Sequence, residues 1–425
     1  MARIKAFNGL RFTKKAGDIE KLVCPPYDII SEKQRQEFLD ANENNIIRLE
    51  LPKGEDPYKE AGKTLASWLE DGILKTDDKP GVYVYEMQFV SGGKNYAVKG
   101  VICLVGLEDF SKGIILPHEE TLSKAKEDRF NLMNATFCNF SQIYSLYMDE
   151  DNSTYSIIDR VSSGAPDVSV TDGDGVRHNL WCVYDEKEIL LLVNKFADKK
   201  LYIADGHHRY ETALRFSKTV REVGLVTDED AKSDYVCMML VNMENDGLVV
   251  LPTHRIVRDL ESFDSGELIS KCGQYFDVEK ACCARSAEEK ITDLYNQNKK
   301  AFAMYDGKDY YVLTLKDLSV MDSVFENASE AYKGLDVNVL HSLVLERLLG
   351  IDKENMAKQI NLTYTKIADE AIEAVDSKKA NCAFLLNPTR VSEIRDVAAA
   401  GEKMPQKSTY FYPKLITGLV MNKLD

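Results

Sequence analysis

The stretch "LYIADGHHRYETALRF", residues 201–216, joins an apolar run of four to a helix-like segment through Asp205 and Gly206. The run at 201–204 has the length and flanks of a buried strand, and Tyr210, Ala213 and Leu214 recur at the i, i+3, i+4 spacing of a helix. The first turn of a helix carries unpaired N–H groups and the positive end of the dipole, so anions settle there. Gly206 lets the chain turn sharply and a ligand approach the backbone. Arg209 adds a planar fork of donors suited to phosphate oxygens. His207 and His208 add donors that also move protons near neutral pH. Asp205 is placed to orient a histidine or hold a divalent cation. Against this stands a plainer alternative, in which Asp205 caps the helix and the histidines are surface residues. Two histidines and an arginine together after a buried strand favour the anion site.

The surrounding composition narrows the classes. A chain of 425 residues holds two or three domains, and 44% hydrophobic with 29% charged residues is ordinary for a globular protein. The net charge of -15 argues against nucleic acid as partner, because a phosphate backbone calls for a basic surface. Nine scattered cysteines with no CxxC pair fit reduced thiols. No apolar run approaches the ~18 residues of a membrane span, and the start "MARIKAFNGLRF" lacks the apolar core of a signal peptide. The expectation is a soluble, cytoplasmic protein with no membrane partner.

Along the chain, Asp56 and Pro57 open a helix that stops at Gly72, and residues 81–89 and 96–105 flank "SGGK" as a hairpin. Residues 116–133 read as a loop entering a helix, 142–148 as a strand, 162–175 as a loop or hairpin tip, and 186–197 as a helix. Residues 235–243 and 248–251 read as paired strands around "ENDG". Beyond about residue 259 the pattern changes. The predicted architecture is α+β in two lobes, 1–259 carrying the glycine turn and 260–425 of separate role.

Other motifs fail on spacing. "GKT" at 62–64 lacks the upstream glycine of a phosphate loop, "HEET" at 118–121 is not HExxH, and "GDG" at 173–175 lacks the third glycine of a dinucleotide fingerprint. Four further segments share the polar character of the glycine turn. "VCPPYDII" (23–30) is a double-proline turn bearing Asp28. "NIIRLEL" (45–51) sets Arg48 in an apolar strand, where a charge needs a partner. "LPHEETLSKAKEDR" (116–129) offers His118 and Glu119, and "LPTHRIV" (251–257) offers Thr253, His254 and Arg255. Their convergence on one cleft is the expectation.

The set "CPPYD", "PHEET", "YIADGHHRYETAL", "LPTHR" and "MPQKSTYFYPKL" resembles a widespread bacterial and archaeal family built on a domain of unknown function, over nearly the whole chain. The D-G-H-H-R turn is similar to the phosphate-binding turn of the ParB-like, sulfiredoxin and free serine kinase superfamily. That resemblance implies a ParB/sulfiredoxin-like mixed core with a second α+β lobe. It also implies that Gly206, His207, His208 and Arg209 contact the phosphates of ATP or ADP, with Mg2+. No position matches the superfamily's catalytic base; Glu119 and Asp28 are candidates on chemical grounds.

The resulting expectation is a nucleotide-dependent phosphotransferase acting on a small hydroxylated metabolite, with free L-serine or phosphoserine favoured. His207 or His208 would stand near the leaving oxygen, with Glu119 or Asp28 as base or magnesium ligand. Arg48 and Arg255 would clamp phosphate, alongside Asp205, His118, Thr253 and His254. The alternative is a ParB-like nucleotide-binding switch or scaffold without turnover. Sulfiredoxin-like chemistry would fall to Cys24, and a metal-dependent hydrolase to Asp205, His207 and His208.

Overall fold

The computed structural model describes residues 1–119, 121 and 123–424; Glu120 and Leu122 of the "LPHEETLSKAKEDR" segment and Asp425 lie outside the described residues. The architecture is α+β. The chain packs into two compact units. The first comprises Met1–Pro117, Thr121–Val249 and the residues from Pro413 onward; the second comprises Val250–Tyr412 with His118 and Glu119. The single cut expected after residue 259 therefore meets a different arrangement. His254–Val257 is a strand paired antiparallel to Leu362–Thr365 and to Cys382–Leu385, so it belongs with the later strands.

The first unit is organised by a nine-stranded mixed sheet. Its strand Tyr235–Asn242 runs parallel to Ile143–Tyr147 on one side and antiparallel to Lys94–Gly106 on the other. All eight of its residues are buried, which explains a nearly continuous apolar run rather than an alternating one. This pairing replaces the expected one between 235–243 and 248–251. The hairpin Val82–Ser91 with Lys94–Gly106 turns at Gly92 and Gly93, both at positive φ, as a tight two-residue turn requires. Residues 162–175, read as a loop or hairpin tip, contain the edge strand Val168–Thr171, antiparallel to Arg177–Val183. Ser169 and Thr171 are exposed, Val168 is half-buried and Val170 buried, an alternation only four residues long among Ser, Gly, Asp and Pro.

Leu201–Asp205 lies between Ile115–Leu116, parallel, and Ile143–Tyr147, antiparallel, with a register shift between Ile203 and Asp205. The helix His207–Glu222 follows after one residue. It buries Tyr210, Ala213, Phe216 and Val220. Tyr210 is pinned at both ends of its hydroxyl: it donates to the Glu108 carbonyl at 2.7 Å and accepts from the Glu108 amide at 2.9 Å. Strand and helix are thus both held rigidly, and the turn between them has little freedom. Among the described residues no helix is long and apolar enough to cross a membrane.

The second unit is built on a six-stranded sheet in the spatial order Phe276–Ala281, Tyr310–Leu315, Ala301–Tyr305, Cys382–Leu385, His254–Val257, Leu362–Thr365, antiparallel throughout. Its core includes Phe276, Phe302 and Phe384, which meet edge to face. Two buried polar atoms in this unit, Arg258 Nε and Asp336 Oδ1, have no hydrogen-bond partner among the described residues. Asp336 Oδ1 lies 3.9 Å from Lys300 Nζ. Burial pushes its carboxyl up to about 7; Lys300 opposes this, Glu393 adds to it and Arg390 opposes it. A carboxyl raised in the folded state stabilises the fold fully below its unfolded value and loses that contribution as pH rises through the folded one. Each unit of difference is worth about 1.4 kcal/mol. Asp336→Asn should therefore gain melting temperature over the parent at about pH 8 but not at about pH 4, read by thermal denaturation across that range. A constant difference between the two proteins would contradict the assignment.

Candidate functional site

The glycine turn is built from a strand end, one left-handed residue and a helix start. Gly206 has φ 92° and ψ 27°, a region that costs an L residue about 1–2 kcal/mol. A Cβ there would also sit 2.9 Å from Arg209 Nη2, so glycine is required twice over. The sixteen-residue helix that follows takes no side-chain cap from Gly206 and has no acidic residue in its first turn. His207 is buried, at 3% exposure, while His208 is half-buried.

Asp205 is enclosed by two cations. Its Oδ1 accepts from Lys414 Nζ, and its Oδ2 accepts from Arg209 Nη2 at 2.7 Å. Burial alone would push this carboxyl up. The charges of Lys414 and Arg209, the Lys414 hydrogen bond and the charge of His207 outweigh burial and hold it well below the usual carboxylate range. Arg209 also donates from Nη1 to the Gln142 carbonyl at 2.5 Å. Its guanidinium therefore folds back beneath the glycine and braces the turn, rather than reaching outward as a free phosphate fork. Both Asp205 oxygens thus accept from a cation, and the charge of His207 also acts on the carboxylate.

Behind the turn lies a second polar layer. Arg209, Glu50, Arg129, Ser141 and Thr212 line a small cavity of about 40 Å³. Glu50 is 2% exposed. Its Oε1 accepts from Ser141 Oγ at 2.5 Å, and Ser141 Oγ lies 2.9 Å from Thr417 Oγ1. Burial raises the Glu50 carboxyl above its usual range, against the pull of Arg129, Ser141 and Arg209. Arg129 donates to the Glu50 carbonyl at 2.7 Å, pairs with Asp128, and stacks its guanidinium 4.0 Å from the centre of the Tyr27 ring. Sequence reasoning passed over Glu50, Ser141 and Lys414. The signal for Glu50 was present, as a second charge in "NIIRLEL". The segment is not a strand but a short helix, Ile47–Glu50. Helical spacing turns Ile46, Ile47, Leu49 and Glu50 inward and Arg48 outward. Arg48 is exposed and donates to the Glu43 carbonyl at 2.8 Å; as a phosphate clamp it is misplaced.

Of the remaining candidates, Asp28 belongs to the first unit. It is exposed in the 3-10 turn Tyr27–Ile29, close enough for its charge to act on Arg209. His118, Glu119, Thr253, His254 and Arg255 belong to the second unit. His118 is buried with Nε2 3.0 Å from Thr409 Oγ1, and Glu119 Oε1 accepts from the Lys407 amide at 3.1 Å. Thr253 and Arg255 are buried beside His254. His254 Nδ1 accepts from the Leu386 amide at 3.2 Å, and burial, with Arg255, pushes the imidazole down to about 4. It is a neutral acceptor and no cationic phosphate contact. Cys24 is 1% exposed, and burial, reinforced by Glu50, pushes its thiol well up, which is the opposite of a reactive thiolate.

The sequence matches the family described as "Protein of unknown function (DUF1015)" over residues 4–338. The chain belongs to this family. No curated protein matches it. Among solved structures it is similar to a conserved hypothetical protein from Pyrococcus furiosus, at 14% identity and TM-score 0.36, over 76% of this chain and 95% of that one. It is also similar to a free serine kinase in complex with AMP, at 14% identity and TM-score 0.37, over 77% and 92%. A third is C-terminally truncated SbnI from Staphylococcus aureus, at 10% identity and TM-score 0.35, over 75% and 86%.

Two substitutions test the turn. Asp205→Asn strands two enclosed cations and should cost about 3–5 kcal/mol of unfolding free energy. Gly206→Ala should cost about 1–2 kcal/mol from backbone conformation alone, plus whatever Arg209 loses in moving aside. Urea denaturation reads both, and a near-neutral Asp205→Asn would show that the ion triad does not hold the turn.

Proposed function

We propose that the first unit binds a nucleotide through its phosphates at the turn of residues 205–209 and transfers a phosphoryl group to or from a small hydroxylated metabolite, with free L-serine and phosphoserine as the candidate pair. One observation carries the reading: a sixteen-residue helix begins directly after Gly206, which brings no side-chain cap, and the two imidazoles of its first turn stand beside the Arg209–Asp205–Lys414 triad. The amides and the positive dipole end of such a helix favour a phosphate.

Phosphoryl transfer asks mainly for positioning and charge neutralisation. In this reading the helix amides receive the phosphate oxygens. His207 and His208 donate to the bridging or terminal oxygens as charge builds. Arg209 acts at one remove, by holding the turn. The acceptor hydroxyl oxygen forms its bond to phosphorus as the bond to the nucleoside phosphate breaks, and the hydroxyl proton passes to a carboxylate. Asp28 is our assignment for that base, since it is exposed and stands close enough for its charge to act on Arg209. Glu119, which accepts from the Lys407 amide, belongs to the second unit, so the assignment rests on Asp28. Among the described residues no group of three or more His, Cys, Asp or Glu side chains converges. Magnesium would then be held chiefly by the phosphates, with Asp28 as the carboxylate at hand.

Purified protein incubated with L-serine, Mg2+ and either ADP or ATP should form phosphoserine. Asp28→Asn should lower the rate about 10²–10⁴-fold if it is the base, and an unchanged rate would remove that assignment. Nucleotide binding by calorimetry with no product from any acceptor would favour the switch reading. Neither binding nor product would end the proposal.

A further inference from the structure

The second unit contains a cavity of about 140 Å³ that the phosphotransfer reading does not use. One wall is a seven-residue π-helix, Leu340–Glu346, in which the Arg347 amide reaches back five residues to the Ser342 carbonyl. Such wide turns are rare, and they recur at functional sites. Here the helix lays Leu340, Leu343, Val344 and Leu345 into the core while Asn338, His341, Ser342 and Glu346 line the cavity.

Behind His341 lies an unusual cation. Arg255 is 1% exposed, and among the described residues no carboxylate pairs with it. Its partners are all neutral: His341 Nε2 at 3.2 Å, the Thr253 carbonyl, the Lys407 carbonyl at 3.1 Å, and the Tyr364 ring 5.4 Å away. Burial pushes even this guanidinium down to about 10. A buried charge left without a counter-ion is costly, so something negative near it would be well received.

The hydrogen bond also fixes the chemistry of His341. An arginine Nε–H only donates, so His341 Nε2 must accept, and the neutral ring carries its proton on Nδ1. Burial and the Arg255 charge both keep the imidazole neutral. The lining thus brings together His341 with its proton on Nδ1 and a cation behind it, the Ser342 hydroxyl and the ammonium group of Lys353, against the carboxylate of the exposed Glu346. The remaining surface is largely apolar: Phe325 and Tyr332, packed edge to face at 5.1 Å, with Tyr364 and Met356. A cavity of about 150 Å³ accepts a benzene ring.

We propose that the second unit carries a binding site for a small aromatic carboxylate, its ring against Phe325, Tyr332 and Tyr364 and its carboxylate on His341, Ser342 and Lys353. Calorimetry of the full chain with phenylacetate, in the absence of nucleotide, tests it. Phenylacetate should bind at least tenfold more tightly than 2-phenylethanol, which has the same ring and no charge. Lys353→Met, at an exposed position, should weaken phenylacetate several-fold and leave 2-phenylethanol unchanged. Ala357→Trp, also exposed and on the cavity lining, should abolish binding with the melting temperature retained. Equal affinity for the acid and the alcohol, binding indifferent to Ala357→Trp, or no binding at all would each overturn the proposal. Inorganic phosphate competing as well as phenylacetate would overturn the aromatic assignment. No phosphoryl transfer enters the readout, so failure here and failure of the phosphotransfer reading are separate results.

Discussion

Asp205 ends one of the interior strands of the first unit's sheet and meets two cations that approach along different routes. One, Arg209, comes from the helix it introduces, four residues on; the other, Lys414, comes from 209 residues away. A carboxylate in that position would be costly alone, and each cation would be costly without it. Together they convert three liabilities into a fixed corner. The corner holds Gly206 in a conformation open to few other residues, directs the helix amides outward, and binds the chain's closing segment to the unit. The polar layer around Glu50 and the position of Asp28 are arranged around it.

This arrangement separates two roles that a motif alone merges. An arginine one turn into a helix, beside a glycine, reads as a ligand contact. Here its donors are drawn to Asp205 and the Gln142 carbonyl, because a buried guanidinium satisfies the nearest acceptors first. What such a helix start offers an incoming anion first is the dipole, the amides and the imidazoles.

The strand, turn and helix of residues 201–222 were legible because all three signals are local: an apolar run, a glycine, and a 3.6-residue period. The hairpin at Gly92 and Gly93 was legible for the same reason. Lys414 was not, since nothing in "YFYPKL" names a partner two hundred residues earlier. Glu50 was missed through the wrong period: four apolar residues around two charges fit a strand or a helix, and the choice decides which charge goes inside. The strand His254–Val257 was placed with the wrong unit because short apolar runs carry no address; only its pairing with Leu362–Thr365 and Cys382–Leu385 supplies one.

The closing segment has a consequence for assembly. Thr417 bridges to Cys24, Met421 to Leu10, and Asn422–Lys423 to Cys138–Asn139, while Lys414 completes the corner at Asp205. These ties join residues 414–423 to residues 10–205, so the first unit is completed by a segment that is synthesised after residues 250–412. Domains generally fold in order of emergence; here the contacts of the first unit span the synthesis of the second.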